Sequence, residues 1–205
     1  MSPYSYKFLY SLLKHRSASF ALLLNYLNLV DSQNGGFWGG ITKTEEEALT
    51  DLVRTRCLSG GPIIELGTLF GHTSLLLASL KSSEQELFTV DNYSWNPFMM
   101  SAEDHEQFTL RCLRGSIGSG RVKVIKSDIA RFQADYRGPT PSLVFIDADH
   151  QFESVKADIE WAVKTGSEVI CGHDYSDQWP SVKRAVNQVL GAGNFLTHES
   201  LWWTR

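Results

Sequence analysis

From Pro62 to the C-terminus, short apolar runs alternate with segments whose apolar residues recur at helical spacing. The apolar runs predict five strands, at residues 63–67, 87–91, 122–126, 142–147 and 168–172. The segments between and after them predict five helices, at residues 72–81, 98–115, 129–136, 152–164 and 179–190. Apolar strands separated by helices are typical of a parallel sheet covered on both faces. Residues 193–205 predict a short C-terminal hairpin, so we expect a doubly wound, mostly parallel α/β sheet that ends in an antiparallel pair.

The N-terminal part follows another pattern. Apolar residues at helical spacing predict a helix or helix pair over residues 4–30, and four glycines within residues 34–40 predict a loop. We therefore divide the chain into an N-terminal helical region with its glycine-rich loop, residues 1–40, and one α/β domain, residues 41–205. Residues 4–30 are expected to pack on this domain, with a homo-oligomer contact or a substrate lid as alternatives.

A further helix is predicted just before the first strand. Thr44 and Glu47 match a capping box, in which each residue's side chain bonds to the backbone of the other. Ser59, two glycines and Pro62 would end this helix after about Leu58.

Composition narrows the class of protein. The chain has 205 residues, of which 42% are hydrophobic and 20% charged, as in an ordinary soluble domain. Its net charge of −4 argues against a dedicated nucleic-acid-binding protein. No apolar run reaches the length of a membrane span or a signal peptide. Three widely spaced cysteines fit neither a disulfide framework nor a CxxC site, so we expect a cytoplasmic protein.

Polar side chains follow every predicted parallel strand at its carboxyl end, where ligands bind in open α/β sheets. They lie in five short segments, Glu65–Gly67, Asp91–Asn92, Ser127–Asp128, Asp147–His150 and His173–Asp174. In the first segment, Gly67 and Gly71 allow a tight turn into a helix whose free amides favour an anionic group. This spacing is neither GxGxxG nor a P-loop, which disfavours a diphosphate ligand. Asp91 stands where dinucleotide-binding folds place the acid that accepts ribose hydroxyls.

These motifs resemble those of class I S-adenosylmethionine-dependent methyltransferases over roughly two thirds of the chain. The loop from Glu65 to Ser74 is similar to the family's first motif, Asp91 resembles its ribose acid, and the Ser127–Asp128 pair resembles the residues beside the adenine. The resemblance implies S-adenosylmethionine as cofactor. The residues that it implies for binding are Glu65, Gly67, Thr68, Gly71, His72, Ser74, Asp91, Asn92, Ser127, Asp128 and Asp147.

A narrower resemblance concerns residues 145–156, 172–175 and 182–185. They are similar to a group of small-molecule O-methyltransferases that includes macrolide-sugar and aminocoumarin-sugar methyltransferases and cephalosporin-hydroxylase-like proteins. The resemblance implies a metal site formed by Asp147, His173 and Asp174. Oxygen ligands suit Mg²⁺, whereas the imidazole, where relatives carry an acid, is better tolerated by Mn²⁺. A hydrogen-bonded cluster without an ion is the alternative.

Methyl transfer to a hydroxyl needs a base, and His150 is the first candidate because an imidazole titrates near neutral pH. Asp149 is the reserve base, and the resemblance supports either position. Trp95, Tyr175 and Trp179 are further candidates to line a pocket, with core packing as the alternative.

The sequence thus predicts a methyltransferase that acts on the hydroxyl of a small acceptor such as a sugar or natural product. Three alternatives stay open: a nitrogen or macromolecular acceptor, a cofactor-binding protein without turnover, and an NAD-dependent reductase. The reductase is the weakest of them, because its glycine fingerprint is absent.

Overall fold

A computed structural model of the chain describes residues 40–95 and 101–205. The predicted helices over residues 4–30 lie outside the described residues, as do residues 34–39 of the glycine-rich loop. The helices are α1 (Lys43–Arg56), α2 (His72–Leu80), α3 (Ala102–Cys112), α4 (Arg114–Gly118), α5 (Ile129–Asp135), α6 (Phe152–Lys164) and α7 (Pro180–Leu190). The strands are β1 (Ile63–Leu66), β2 (Leu87–Asp91), β3 (Lys123–Lys126), β4 (Leu143–Ile146), β5 (Val169–Gly172), β6 (Phe195–His198) and β7 (Leu201–Thr204).

The strands form one sheet in the order β3-β2-β1-β4-β5-β7-β6. Strands β1 to β5 are parallel, while β7 runs antiparallel to β5 and β6 antiparallel to β7. This confirms the predicted doubly wound sheet and its C-terminal antiparallel hairpin. The strand order reverses between β1 and β4, where Leu66 stands opposite Ile146. The loops after these two strands therefore diverge at the switch point, the usual place for a ligand in this class of fold.

Two hydrophobic clusters cover the two faces of the sheet. Neighbouring residues of β1 contribute to different clusters, with Ile63 in one and Ile64 in the other. On β4, Phe145 joins the first cluster and Val144 the second. Every residue of β1, β4 and β5 is buried, which explains why the sequences of these strands are mostly apolar.

Helix α1 begins two residues earlier than the sequence predicted, so the assignment of its capping box to Thr44 and Glu47 was wrong. Thr42 is the N-cap: its hydroxyl accepts from the Glu45 amide at 3.2 Å, and Glu45 Oε2 accepts from the Thr42 amide at 2.8 Å. This register places Glu45 on the same buried helix face as Leu49 and Leu52, whereas Glu47 is exposed. The helix therefore uses the earlier of two overlapping capping sequences.

The three cysteines, Cys57, Cys112 and Cys171, are all unpaired, which confirms that no disulfide framework exists. Burial raises the pKa of both Cys57 and Cys112 to about 12, so these thiols stay protonated at neutral pH. Among residues 40–95 and 101–205, no helix combines the length and the hydropathy that crossing a membrane requires.

A buried carboxyl group on α6 makes a pH dependence of stability predictable. Asp158 is 5% exposed, and burial raises its pKa to about 7, although Gln133 donates a hydrogen bond to it at 2.6 Å. The folded pKa exceeds the ordinary 3.8, so the folded state holds the proton more tightly. The resulting stabilisation is complete below about pH 4 and is lost as the pH rises through about 7.

We expect Asp158→Asn to remove this loss, which is on the order of 3 kcal/mol between pH 4 and pH 8. Urea unfolding at both pH values measures it as a smaller fall in the free energy of unfolding than in the wild type. Asp135→Asn, which changes an exposed carboxylate of α5, is the control and should follow the wild type. An equal pH dependence of Asp158→Asn and the wild type would contradict the prediction.

Candidate functional site

A second loop with glycines, Gly67–Gly71 after β1, lies in close contact with the end of β4. Gly67 has a φ of +94°, a conformation that favours glycine, and its amide donates to Val90 O at 2.9 Å. A Cβ atom at this position would overlap Asp147 O and lie 2.6 Å from the carbonyl carbon of Asp147. The backbone at Gly67 is therefore pressed against the strand that carries Asp147.

Asp91 orders this loop. Its Oδ2 accepts from the amides of Thr68 at 2.8 Å and Leu69 at 3.1 Å, and its Oδ1 accepts from the Tyr93 amide at 2.7 Å. Leu69 has a φ of +47°, which is uncommon for a branched side chain. On the other side of the loop, His105 Nε2 donates to Leu69 O at 3.0 Å. Helix α3 and strand β2 thus hold the loop from two sides.

A buried polar cluster lies beneath the loop. The Ser74 hydroxyl donates a very short hydrogen bond to Glu65 Oε2, and the hydroxyls of Thr68 and Thr89 are 2.6 Å apart. Burial, reinforced by the charges of Asp147 and Asp91, raises the pKa of Glu65 to about 8 despite the hydrogen bonds from Ser74 and Thr89. Glu65 and Ser74 are both fully buried, so they support the loop from below. Their role toward a cofactor stays a prediction.

The other residues predicted to bind the cofactor are spread along the same edge of the sheet. His72 Nε2 lies 2.7 Å from Glu46 Oε1, which ties α2 to α1. Asn92 is exposed, and its Oδ1 accepts from the Ser94 amide. The Ser127 amide donates to Asp91 O at 3.1 Å, and exposed Asp128 starts α5. The structure therefore brings the ends of β1, β2 and β3 together, as the parallel sheet predicts.

Asp147, His173 and Asp174 meet at the ends of β4 and β5. His173 Nδ1 lies 3.5 Å from Asp174 Oδ1 and 3.9 Å from Asp147 Oδ2, and one potential ligand atom of each residue lies within 4.8 Å of the others. Asp174 has a φ of +62°, a left-handed conformation that Asp tolerates better than most residues. Strained backbone of this kind is concentrated at functional sites.

Glu45 also belongs to this cluster, and the sequence analysis missed it. Its Oε2 lies 3.2 Å from His173 Nε2, and its Oε1 accepts from the Ser200 amide at 2.8 Å. Burial opposes the negative charge, but hydrogen bonds from His173 and the Thr42 amide lower the pKa of Glu45 to about 2. The signal was present, because Thr42 and Glu45 also match a capping box, and Glu45 has the i, i+4, i+7 spacing to Leu49 and Leu52 that places the three on one helix face.

Three carboxylates, those of Glu45, Asp147 and Asp174, surround His173. Burial opposes its positive charge, but hydrogen bonds to Asp174 and Glu45 and the charge of Asp147 raise its pKa to about 11. Burial raises the pKa of Asp147 to about 6, against the attraction of His173. One imidazole nitrogen and two carboxylate oxygens are also a set that holds divalent transition metals, so the residues present fit a metal ion.

His150 lies at the edge of this cluster. Its Nε2 lies 2.6 Å from Asp174 Oδ2, and its ring stacks on Trp179 with centroids 4.0 Å apart. Trp95, which is 52% exposed, presents its ring to the imidazole edge-on at 6.2 Å. Burial alone would lower the pKa of His150, but the hydrogen bond to Asp174 raises it above its usual value. The arrangement is that of a histidine base oriented by a carboxylate.

Other predicted residues stand outside the cluster. Asp149 is exposed, and its two oxygens accept from the Gln151 amide at 3.1 Å and the Ser154 hydroxyl at 2.7 Å, which supports the start of α6. His150 is half-buried and is oriented by Asp174, whereas Asp149 is exposed, so His150 is the better placed of the two. Tyr175 packs against Phe195 instead of facing His150.

Comparisons with known proteins place the fold. Residues 64–175 match a family described as a methyltransferase domain. A comparison with curated protein sequences gave no match.

Solved structures share the fold over most of the chain. An O-methyltransferase from Bacillus cereus in complex with SAH is 18% identical with a TM-score of 0.63, and the alignment covers 91% of both chains. TomG from Streptomyces achromogenes, an O-methyltransferase of tomaymycin synthesis in complex with SAM, is 16% identical over 80% of this chain and 81% of its own, with a TM-score of 0.59. CalS11, a TDP-rhamnose 3'-O-methyltransferase of calicheamicin biosynthesis, is 15% identical over 98% and 92%, with a TM-score of 0.60.

Proposed function

The chain belongs to the methyltransferase-domain family, whose match spans residues 64–175, and on this premise we propose that it methylates a hydroxyl group of a small acceptor with S-adenosylmethionine as donor. The observation that carries the proposal is the His150–Asp174 pair, which lies at the same edge of the sheet as the loop after β1. Two structural neighbours are O-methyltransferases in complex with SAH or SAM, and a third is a TDP-rhamnose 3'-O-methyltransferase; they support the donor and the hydroxyl acceptor.

The loop and Asp91 fit the cofactor. Gly67 lets the end of β1 pack directly against the backbone of Asp147, where a Cβ atom would overlap Asp147 O. This contact shapes the loop in which the cofactor would lie. A carboxylate can accept about four hydrogen bonds, and Asp91 accepts three from backbone amides. The remaining position suits a ribose hydroxyl. Gly67, Thr68, Gly71, Asp91 and Asn92 would thus hold the cofactor, with Ser127 and Asp128 beside its adenine.

The bound cofactor supplies an electrophilic methyl group on a sulfonium. His150 then serves as the base: Asp174 accepts the hydrogen on Nε2, which leaves the lone pair on Nδ1 for the proton of the acceptor hydroxyl. On methyl transfer that proton would move to His150, and Asp174 would stabilise the imidazolium. Trp95 and Trp179 confine the imidazole and exclude water around it.

A divalent ion, Mg²⁺ or Mn²⁺, would be held by Asp147, His173 and Asp174. Such an ion supplies a positive charge that orients and acidifies a hydroxyl group. Because Asp174 turns Oδ1 toward His173 and Oδ2 toward His150, it would place the ion and the base next to each other.

Cofactor binding is tested with S-adenosylhomocysteine in a calorimetric titration. We expect micromolar binding to the wild type and about 10–100-fold weaker binding to Asp91→Asn, which loses a charged acceptor shared by loop and ribose. Asp51→Asn, which changes an exposed carboxylate of α1, should bind like the wild type. A folded wild type that takes up no S-adenosylhomocysteine would refute the cofactor assignment.

The acceptor class is tested by turnover. Incubation with S-adenosylmethionine and panels of hydroxylated sugars, phenols, amines and macromolecules, followed by mass spectrometry, should give O-methylated small molecules. N-methylated products, or cofactor binding without any turnover, would favour the alternatives of a nitrogen acceptor or a non-catalytic cofactor-binding protein.

A further inference from the structure

We propose that Glu45 is a positioning residue for a metal centre formed by Asp147, His173 and Asp174, and that it makes this centre prefer a transition-metal ion such as Mn²⁺ to Mg²⁺. The inference rests on the proposed function in one respect, since it takes the three residues to be the metal site of a methyltransferase. It adds a fourth residue from a distant part of the sequence and a choice between metals.

Glu45 makes more contacts than a capping glutamate requires. A capping box needs one acceptor for the amide of the N-cap residue, and Oε2 provides it for Thr42. Glutamates in the first turn of a helix are ordinarily exposed, but Glu45 is only 1% exposed. A carboxylate buried to this degree is costly unless it is fully bonded. The additional partners are His173 Nε2 and the Ser200 amide, so the side chain joins the site to the C-terminal hairpin.

The contact with Glu45 determines which nitrogen of His173 can bind a metal. An ionised carboxylate only accepts hydrogen bonds, so Nε2 carries the hydrogen and donates it to Glu45 Oε2. The ligand nitrogen is then Nδ1, which faces Asp147 Oδ2 and Asp174 Oδ1, and a metal ion would bind there in place of a proton. Histidines that bind metals usually donate their second nitrogen to a carboxylate or carbonyl in this way, which fixes the ring and increases its basicity.

The distances suit one shared ion. Ligand atoms about 2.0–2.2 Å from a metal lie about 3.0–3.5 Å from one another in octahedral or tetrahedral geometry. The separations from Nδ1 are 3.5 Å to Asp174 Oδ1 and 3.9 Å to Asp147 Oδ2, and one potential ligand atom of each residue lies within 4.8 Å of the others. The three side chains would have to move closer together to bind one ion.

The donor set itself decides between metals. Mg²⁺ strongly prefers oxygen ligands, whereas imidazole nitrogen suits the first-row transition metals. Asp174 offers the ion only Oδ1, because Oδ2 is engaged with His150. One nitrogen and two single oxygens leave open positions for water or an acceptor hydroxyl.

The test is calorimetric titration of the full-length protein with Mn²⁺ and, separately, with Mg²⁺. We expect Mn²⁺ to bind about 100-fold more tightly than Mg²⁺. In Glu45→Gln, the glutamine oxygen can keep the bonds of Oε2 to Thr42 and His173, but the variant loses the negative charge beside His173 Nε2 and the acceptor for the Ser200 amide. The affinity for Mn²⁺ should therefore fall about 10–100-fold. Glu47→Gln removes the same charge from an exposed position of the same helix and should leave Mn²⁺ binding unchanged.

A second variant keeps the inference testable if Glu45→Gln does not fold. His173→Asp replaces the nitrogen by an oxygen ligand, so the preference for Mn²⁺ over Mg²⁺ should fall by about tenfold or more. Equal binding of the two ions by the wild type would overturn the metal preference, and equal Mn²⁺ affinities of Glu45→Gln and Glu47→Gln would overturn the role of Glu45.

A parallel titration with S-adenosylhomocysteine separates the two levels of the proposal. Binding of S-adenosylhomocysteine without binding of either metal would overturn the metal centre and leave the cofactor assignment standing. Binding of Mn²⁺ without S-adenosylhomocysteine would support the role of Glu45 and refute the proposed cofactor.

Discussion

Replacement of His150 by glutamine is expected to lower kcat by about 10²–10⁴-fold, the usual contribution of a positioned general base. Glutamine keeps a polar side chain of similar length but cannot take a proton from the acceptor hydroxyl. The KM for S-adenosylmethionine should stay close to that of the wild type, because the proposed cofactor site is formed mainly by the loops after β1 and β2, whereas His150 follows β4. Steady-state kinetics with an acceptor from the turnover screen measures both constants.

His198→Gln is the matched control, since His198 is an exposed histidine on β6. Its kcat should equal that of the wild type, and both variants should retain the wild-type affinity for S-adenosylhomocysteine. A fall in kcat of less than tenfold for His150→Gln would remove His150 from the role of base. An equal fall in both variants would indicate a general effect of histidine loss on the protein.

The sheet and its edge were predictable because one physical cause acts on the sequence and the structure alike. Strands covered on both faces must be mostly apolar, and Glu65 is the one charged residue in β1, β4 and β5. Parallel strands end at the same edge, so the polar residues after each run had to meet there. Asp91, Asp147 and Asp174 could therefore be assigned to one region before any coordinates were known.

The pairings within that region depend on features that the sequence pattern does not encode. His150 contacts Asp174, whose backbone adopts a left-handed conformation. Trp179, at the start of α7, stacks on the imidazole. Asp149 appeared equivalent to His150 in sequence, but its hydrogen bonds to the first turn of α6 separate the two.

Glu45 illustrates a different limit of sequence reasoning. Two capping boxes overlap at the start of α1, and their local energies are similar. In the structure the earlier box, Thr42 and Glu45, is the one that forms, and Glu45 lies on the same buried helix face as Leu49 and Leu52. A shift of two residues turns an exposed glutamate into a buried partner of His173, so a small error in a helix boundary concealed a residue of the site.

The second large effect is expected on stability, at Gly67 in the loop after β1. Gly67→Ala is expected to reduce the free energy of unfolding by about 3–5 kcal/mol, because a steric conflict adds to a backbone penalty. The added Cβ would overlap Asp147 O, and the φ of +94° is unfavourable for any residue with a side chain. The overlap is with backbone atoms of a buried strand end, which cannot move aside as a flexible side chain could. Urea unfolding measures the loss.

Substitutions of two other glycines measure the backbone penalty separately from the steric conflict. Gly60 has a φ of +74° and open space where its Cβ would stand, so Gly60→Ala should cost only the backbone term of about 1–2 kcal/mol. Gly115 in α4 has neither constraint, and Gly115→Ala should stabilise the protein by up to about 1 kcal/mol. If Gly67→Ala costs no more than Gly60→Ala, the loop is not pressed against β4. The proposed cofactor site would then have a different shape.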